Sequence, residues 1–139
     1  MLTHEKRIIA SAIDIAVVLV ISLIVNILIP NTIYNSDITF SLAYFVIGFL
    51  YMFICLLVSK DRTIGLACMS LRLLSDKWVM ADLKIITIRS LANGVLVLHL
   101  VNMFYMILNK TTDSFFDKLA NSVVIKNSDV YDIISKKED

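Results

Sequence analysis

From Ile38 to Val58 the chain runs for 21 residues without one charged side chain. About 20 apolar residues of helix are needed to cross the hydrocarbon of a bilayer. Within hydrocarbon, only a helix or a closed barrel satisfies its own backbone N–H and C=O groups. The run therefore predicts a transmembrane helix. A second run, Ile8 to Ile29, ends at Pro30 and carries a single charge, Asp14. Fifteen of its residues are Ile, Val or Leu. Each favours insertion by about 0.3 to 0.6 kcal/mol, against a cost of about 2.5 to 3.5 kcal/mol for one aspartate at mid-membrane, so this segment inserts despite Asp14. It is too long for a cleaved signal peptide and no small-x-small site follows it, which reads as an uncleaved anchor.

The third run, Ile85 to Leu108, differs in character, because it holds Arg89, Asn93, Gly94, His99 and Asn102. Its length corresponds to about 36 Å of helix, enough to span once and too little to cross twice. Arg89 near its start and Gly94 in its middle suit an interrupted helix, so spanning and re-entrant paths both stay open.

The predicted fold is thus an all-α membrane protein forming one domain over residues 1–139. Transmembrane helices at 8–29 and 38–58 are followed by a polar middle segment (59–84), the third apolar segment (85–108) and a polar tail (109–139). In the middle segment, residues 71–80 suit a small hairpin or an interfacial helix. Residues 122–125 suit one short strand, and the last five residues suit a frayed end. Composition agrees with a membrane address: 58% of residues are hydrophobic and mean hydropathy is +0.81, where soluble domains are about 45–50% apolar.

A net charge of +1 creates no field for nucleic acid. There is no Cys/His ligand spacing, no Gly-rich phosphate loop and no nucleophile–base pair, so neither metal, cofactor nor enzymatic activity is expected. Cys55, inside an apolar run, and Cys68, in a basic loop, read as packing residues. Lys6 and Arg7 precede the first helix, none lies in Pro30–Asp37, and five basic residues lie in 59–84. The positive-inside rule then puts the N-terminus and the middle segment in the cytoplasm of a cell-membrane protein. The lysine-bearing tail is expected on the same side.

Ionisable groups at membrane depth are the candidates for function. Arg7, Ser11 and Asp14, at steps of four and three, share one helix face, which Ser22 and Asn26 continue. Ser41, Tyr44, Gly48, Tyr51 and Cys55 form a face of small and hydroxyl-bearing residues on the second helix. A buried tyrosine needs a hydroxyl partner, so Tyr44 or Tyr51 is expected to meet Asp14. Arg89 is the natural cationic partner of Asp14. Arg89 and Asn93 share one face of the third segment, with His99 and Asn102 on a patch turned well away from it. His99 offers an imidazole, whose unperturbed pKa lies near neutrality, against the plainer reading of a hydrogen-bonded packing histidine. Asp117, after two phenylalanines, reads by chemistry alone as a solvated surface acid.

These residues together resemble the RDD family of small membrane proteins, named for one arginine and two aspartates. Arg7-Ile8-Ile9-Ala10-Ser11-Ala12-Ile13-Asp14 looks like the first arginine–aspartate pair. Phe116-Asp117-Lys118-Leu119-Ala120-Asn121-Ser122-Val123-Val124 looks like the second aspartate in its D-[KR]-L-A-x-[ST]-V-V setting. Thr63-Ile64-Gly65, followed by Leu71-Arg72-Leu73-Leu74, is similar to the family's T-P-G-K and G-L-R-V-V stretches. Arg89 matches an arginine that often opens the third segment. Ile64 stands in place of the proline, Leu66 in place of the lysine and Asn121 in place of a common glycine.

The resemblance covers residues 6–126. It implies that residues 70–80 and 122–126 form one cytoplasmic β element. Some members have been linked to sodium/proton exchange, which would make Asp14 an intramembrane carboxylate for Na⁺ or H⁺ in an oligomer. The alternative is an accessory or scaffold protein that binds another membrane protein, with Arg7, Asp14 and Asp117 structural. Partners expected either way are the bilayer and a second copy or another membrane protein.

Overall fold

The computed structural model describes residues 3–28, 37–59, 61–111 and 113–130, with the backbone alone at 37–40. The chain is mostly helical: α1 (Thr3–Leu28), α2 (Asp37–Ser59), α3 (Ile64–Cys68), β1 (Leu71–Ser75), α4 (Leu83–Gly94), α5 (Leu96–Asn109), α6 (Phe115–Ala120) and β2 (Ser122–Lys126). The polar turn expected at residues 30–36 and the frayed end lie outside the described residues.

α1 and α2 are both long and apolar enough to cross a membrane. Their outward side chains are apolar and exposed, among them Val20, Leu23, Ile24, Leu50 and Ile54, as expected of surface that meets lipid. The third segment is interrupted. Val95, with φ −86° and ψ 107°, is extended and separates α4 from α5, and the two helices are bent by 98°. Asp82 caps the start of α4 by accepting the Ile85 N–H at 2.9 Å.

α4 lies close against α2. A Cβ on Gly48 would stand 3.3 Å from the Gly94 Cα, and one on Gly94 would stand 3.2 Å from the Phe45 carbonyl oxygen. Small residues at such a crossing let two backbones approach this nearly.

β1 and β2 pair antiparallel, from Leu71 opposite Lys126 to Ser75 opposite Ser122. After β1 the chain turns through Trp78 (φ 61°), and Met80 makes a single bridge back to Leu74. Residues 71–80 therefore take the hairpin-like path and not the interfacial helix. Period-2 alternation sends Leu71 and Leu73 inward, both fully buried. Arg72 points outward and pairs with Asp61 at 3.3 Å.

Two apolar clusters result. One joins Ala10, Leu56, Leu71, Leu73, Ile85, Ile86 and Val124 around the sheet, and the other joins Val18, Tyr44, Tyr51 and Met52 between the long helices. α3 was not legible as an element. It carries Cys68, which is free and exposed, so the basic loop and the packing role expected for that cysteine are both corrected.

Candidate functional site

Both aspartates are buried, and their partners are not those the sequence suggested. Asp117 belongs to a capping box that starts α6. Ser114 accepts the Asp117 N–H at 3.2 Å while the Asp117 carboxylate accepts the Ser114 N–H at 2.8 Å. The same carboxylate takes the guanidiniums of Arg7 on one oxygen and Arg89 on the other, both as buried ion pairs. Arg89 also donates to Ser122 Oγ at 3.0 Å.

One carboxylate thus ties α1, α4 and α6 together, with a side bond to β2. Asp117 is only 3% exposed, which overturns its reading as a solvated acid. Burial alone would raise its pKa. The two guanidiniums and the Ser114 N–H outweigh burial and hold the carboxyl below the usual carboxylate range.

Arg89 is therefore the partner of Asp117 and not of Asp14. Asp14 accepts from the Tyr51 hydroxyl at 2.6 Å, the Thr63 hydroxyl at 2.6 Å and the Gly65 N–H at 2.9 Å. Of the two tyrosines expected to meet Asp14, Tyr51 does so, whereas Tyr44 sits in the apolar cluster beside Val18.

Thr63 is also the N-cap of α3, where its hydroxyl oxygen accepts the Leu66 N–H at 3.3 Å. The start of α3 is pressed onto α1 so closely that a Cβ on Gly65 would lie 2.1 Å from the Ala10 carbonyl oxygen. Thr63 and Gly65 are the two positions of the T-P-G-K-like stretch that this chain retains, and they hold Asp14. The replaced positions, Ile64 and Leu66, do not bond Asp14; the Leu66 N–H serves only the cap at Thr63. Asn121 adopts φ 49° and ψ 55° at the end of α6. That left-handed conformation favours glycine and tolerates asparagine.

Beside Asp14 lies a cavity of about 40 Å³, walled by Arg7, Ser11, Asp14, Thr63, Arg89, Asn93, His99 and Asn102, with Met52 and Met106 among its apolar lining. Such a volume holds one or two waters or a small ion. Nη1 of Arg7, one of the lining residues, is buried without a hydrogen-bond partner among the described residues.

Arg89 and Asn93 share this cavity with His99 and Asn102, although a straight helix would turn the two pairs apart. The 98° break at Val95 brings them together. Asn102 also accepts the Phe115 N–H at 3.1 Å, which fixes the approach to α6. Ser114 and Ser122 were missed as site residues. The Ser-x-x-Asp spacing of a capping box was the available signal for Ser114.

Two span-length apolar helices, a broken apolar pair and a buried arginine–aspartate frame define the class as an α-helical integral membrane protein. The RDD family model matches residues 3–121, and the chain belongs to the RDD family. No curated protein and no solved structure matches it.

Proposed function

We propose that this protein is a transport-type membrane module in which Asp14 exchanges a proton, or holds Na⁺ in its place, and that it works as an oligomer or as a subunit beside another membrane protein. The carrying observation is the difference between the two buried carboxylates. Asp117 faces two guanidiniums, which only donate hydrogen bonds and stay charged at every accessible pH. Two of the three groups around Asp14 are hydroxyls, which donate or accept. When Asp14 is ionised, Tyr51 and Thr63 donate to it, as in the present geometry. When Asp14 gains a proton, its own O–H donates and one hydroxyl turns to accept, with no heavy atom displaced. The hydroxyl oxygens of Thr63, Tyr51 and Ser11 also suit a small hard cation. The cavity beside Asp14 supplies room for the exchanging water or ion.

In this reading Arg7, Asp117 and Arg89 are the fixed frame, Asn93 and His99 line the chamber, and no bond-making chemistry is required of any residue. The protein sits in the cell membrane with its N-terminus cytoplasmic, which rests on the distribution of Lys and Arg.

The test compares wild type with Asp14→Asn in proteoliposomes after equal melting temperatures have been established. Internal pH is followed after Na⁺ or K⁺ gradients are imposed. Cation-dependent proton flux that disappears in a folded Asp14→Asn supports the proposal, and absence of flux from wild type overturns it.

A second reading, a non-catalytic accessory protein, draws support from the bonds themselves, since Arg7, Asp14 and Asp117 cross-link five elements. It predicts that Asp14→Asn lowers folding yield or complex recovery without any ion flux to lose.

A further inference from the structure

We infer that the third apolar segment enters and leaves the membrane on the same face, so that the chain crosses the bilayer twice and α4–α5 forms a re-entrant hairpin. β1 precedes this segment and β2 follows it, and the two pair along five consecutive residues. Strands in one ladder lie about 5 Å apart and cannot stand on opposite sides of a bilayer. Whatever runs between them must return to the side it left.

The ends of the other helices agree. Arg7, in the second turn of α1, is bonded to Asp117, just beyond α5. Thr63, just beyond α2, is bonded to Asp14. The start of α1, the end of α2 and both ends of the third segment therefore gather on one face.

The depth of the hairpin can be read from α2. Gly48 is the central residue of Asp37–Ser59, and Gly94, the last residue of α4, packs against it. α4 has 12 residues, about 18 Å of helix, which is roughly half the path across a bilayer core of about 30 Å. At that depth the chain breaks at Val95 and turns by 98°. α5 then leads back toward Ser114 and Asp117, with Val97, Val101, Phe104 and Leu108 exposed as lipid-facing surface. The polar cavity consequently lies within the half of the membrane next to the gathered ends.

Single cysteines test the path in a Cys55→Ala, Cys68→Ser background. His4→Cys reports the N-terminal end, Asn35→Cys the connection between α1 and α2, Asp76→Cys the turn after β1, and Asp129→Cys the chain beyond β2. A membrane-impermeant maleimide is applied to right-side-out and inverted vesicles. The expected result is that His4→Cys, Asp76→Cys and Asp129→Cys label in one vesicle orientation and Asn35→Cys in the other. Labelling of Asp129→Cys together with Asn35→Cys would make the segment a full crossing and overturn the inference. A fusion of full-length wild type to side-specific reporters at the C-terminus gives the same discrimination without any cysteine change. Neither readout depends on ion flux, so topology and the proposed function can fail separately.

Discussion

Arg7 and Asp117 stand 110 positions apart in the chain and form a buried ion pair, so the first helix of the protein is fastened to one of its last elements through a single carboxylate. Arg89 occupies the other oxygen of that carboxylate. The three groups form a unit in which the acid separates two cations that would otherwise repel.

Removing the acid should therefore cost more than removing either base. Asp117→Asn leaves two guanidiniums buried without a counter-charge, and deleting one partner of a buried pair costs about 3–5 kcal/mol. Arg89→Gln should cost less, because Arg7 remains on Asp117. Arg89→Lys should recover only part of the loss: Nη1 alone reaches both Asp117 and Ser122, and the shorter side chain carries a more strongly hydrated ammonium that is harder to bury there. Thermal unfolding in detergent ranks the three, and equal losses would refute the assignment.

The same unit sets an acid limit. The folded Asp117 carboxyl titrates below its unfolded value of about 3.9. Its stabilisation is then fully present above that unfolded value and is lost as pH falls through the lower, folded one. The stability gap between wild type and Asp117→Asn should stay constant from neutral pH down to about 5 and close only below about 4. A gap that closes between pH 6 and 7 would contradict the pairing.

Gly65→Ala should be among the most damaging small substitutions. The new methyl would meet the Ala10 carbonyl oxygen at 2.1 Å and the Asp14 carboxylate at 2.8 Å, and neither can yield without α3 leaving α1. Overpacking costs about 1–3 kcal/mol, and here the Gly65 bond to Asp14 would go as well. Gly48→Ala, whose nearest contact is 3.3 Å, should be milder. Melting temperatures compare them directly.

Thr63→Val keeps the shape of the side chain and removes two bonds, the one to Asp14 and the cap of α3. Tyr51→Phe removes its bond to Asp14 and leaves α3 capped. Each leaves a buried carboxylate short of a donor, at about 1–3 kcal/mol, and Thr63→Val should be the worse. If neither changes the denaturation midpoint, the cage around Asp14 is not what holds α3 in place.

Asn121→Gly should be neutral or slightly stabilising, whereas Asn121→Val forces a β-branched residue into left-handed backbone at a cost of about 1–2 kcal/mol. Equal stability of the two variants would argue against φ 49° at this position.

The apolar runs were legible because hydrophobic length is a local property, and Asp14 and Arg89 were legible because charge in such runs is rare; Arg7 followed from its helical spacing to Asp14, and Asp117, in the polar tail, only from its motif. Their pairing was not. Depth along one helix made Arg89 the apparent partner of Asp14, but partners are chosen by how elements return to each other, and Thr63-Ile64-Gly65 folds back onto α1 from a different segment. The interruption of the third segment was legible at Gly94, but the 98° bend that the extended Val95 makes beside it was not. Without it, helical geometry turns His99 and Asn102 away from Arg89 and Asn93, and the shared cavity cannot be anticipated. Thr63 and Gly65 were noticed only through a motif, since nothing in their own chemistry points to a carboxylate 49 and 51 positions away.

A hairpin that stops at the level of Gly48 also gives the chain an uneven cross-section. Four helical segments share one half of the bilayer, while the described part of the other half is filled by the ends of α1 and α2 alone. Such a body is a wedge. It displaces more lipid from one leaflet than from the other, so flat membrane and curved membrane are not equivalent surroundings for it. Copies placed side by side would splay at the thick end before they touched at the thin one.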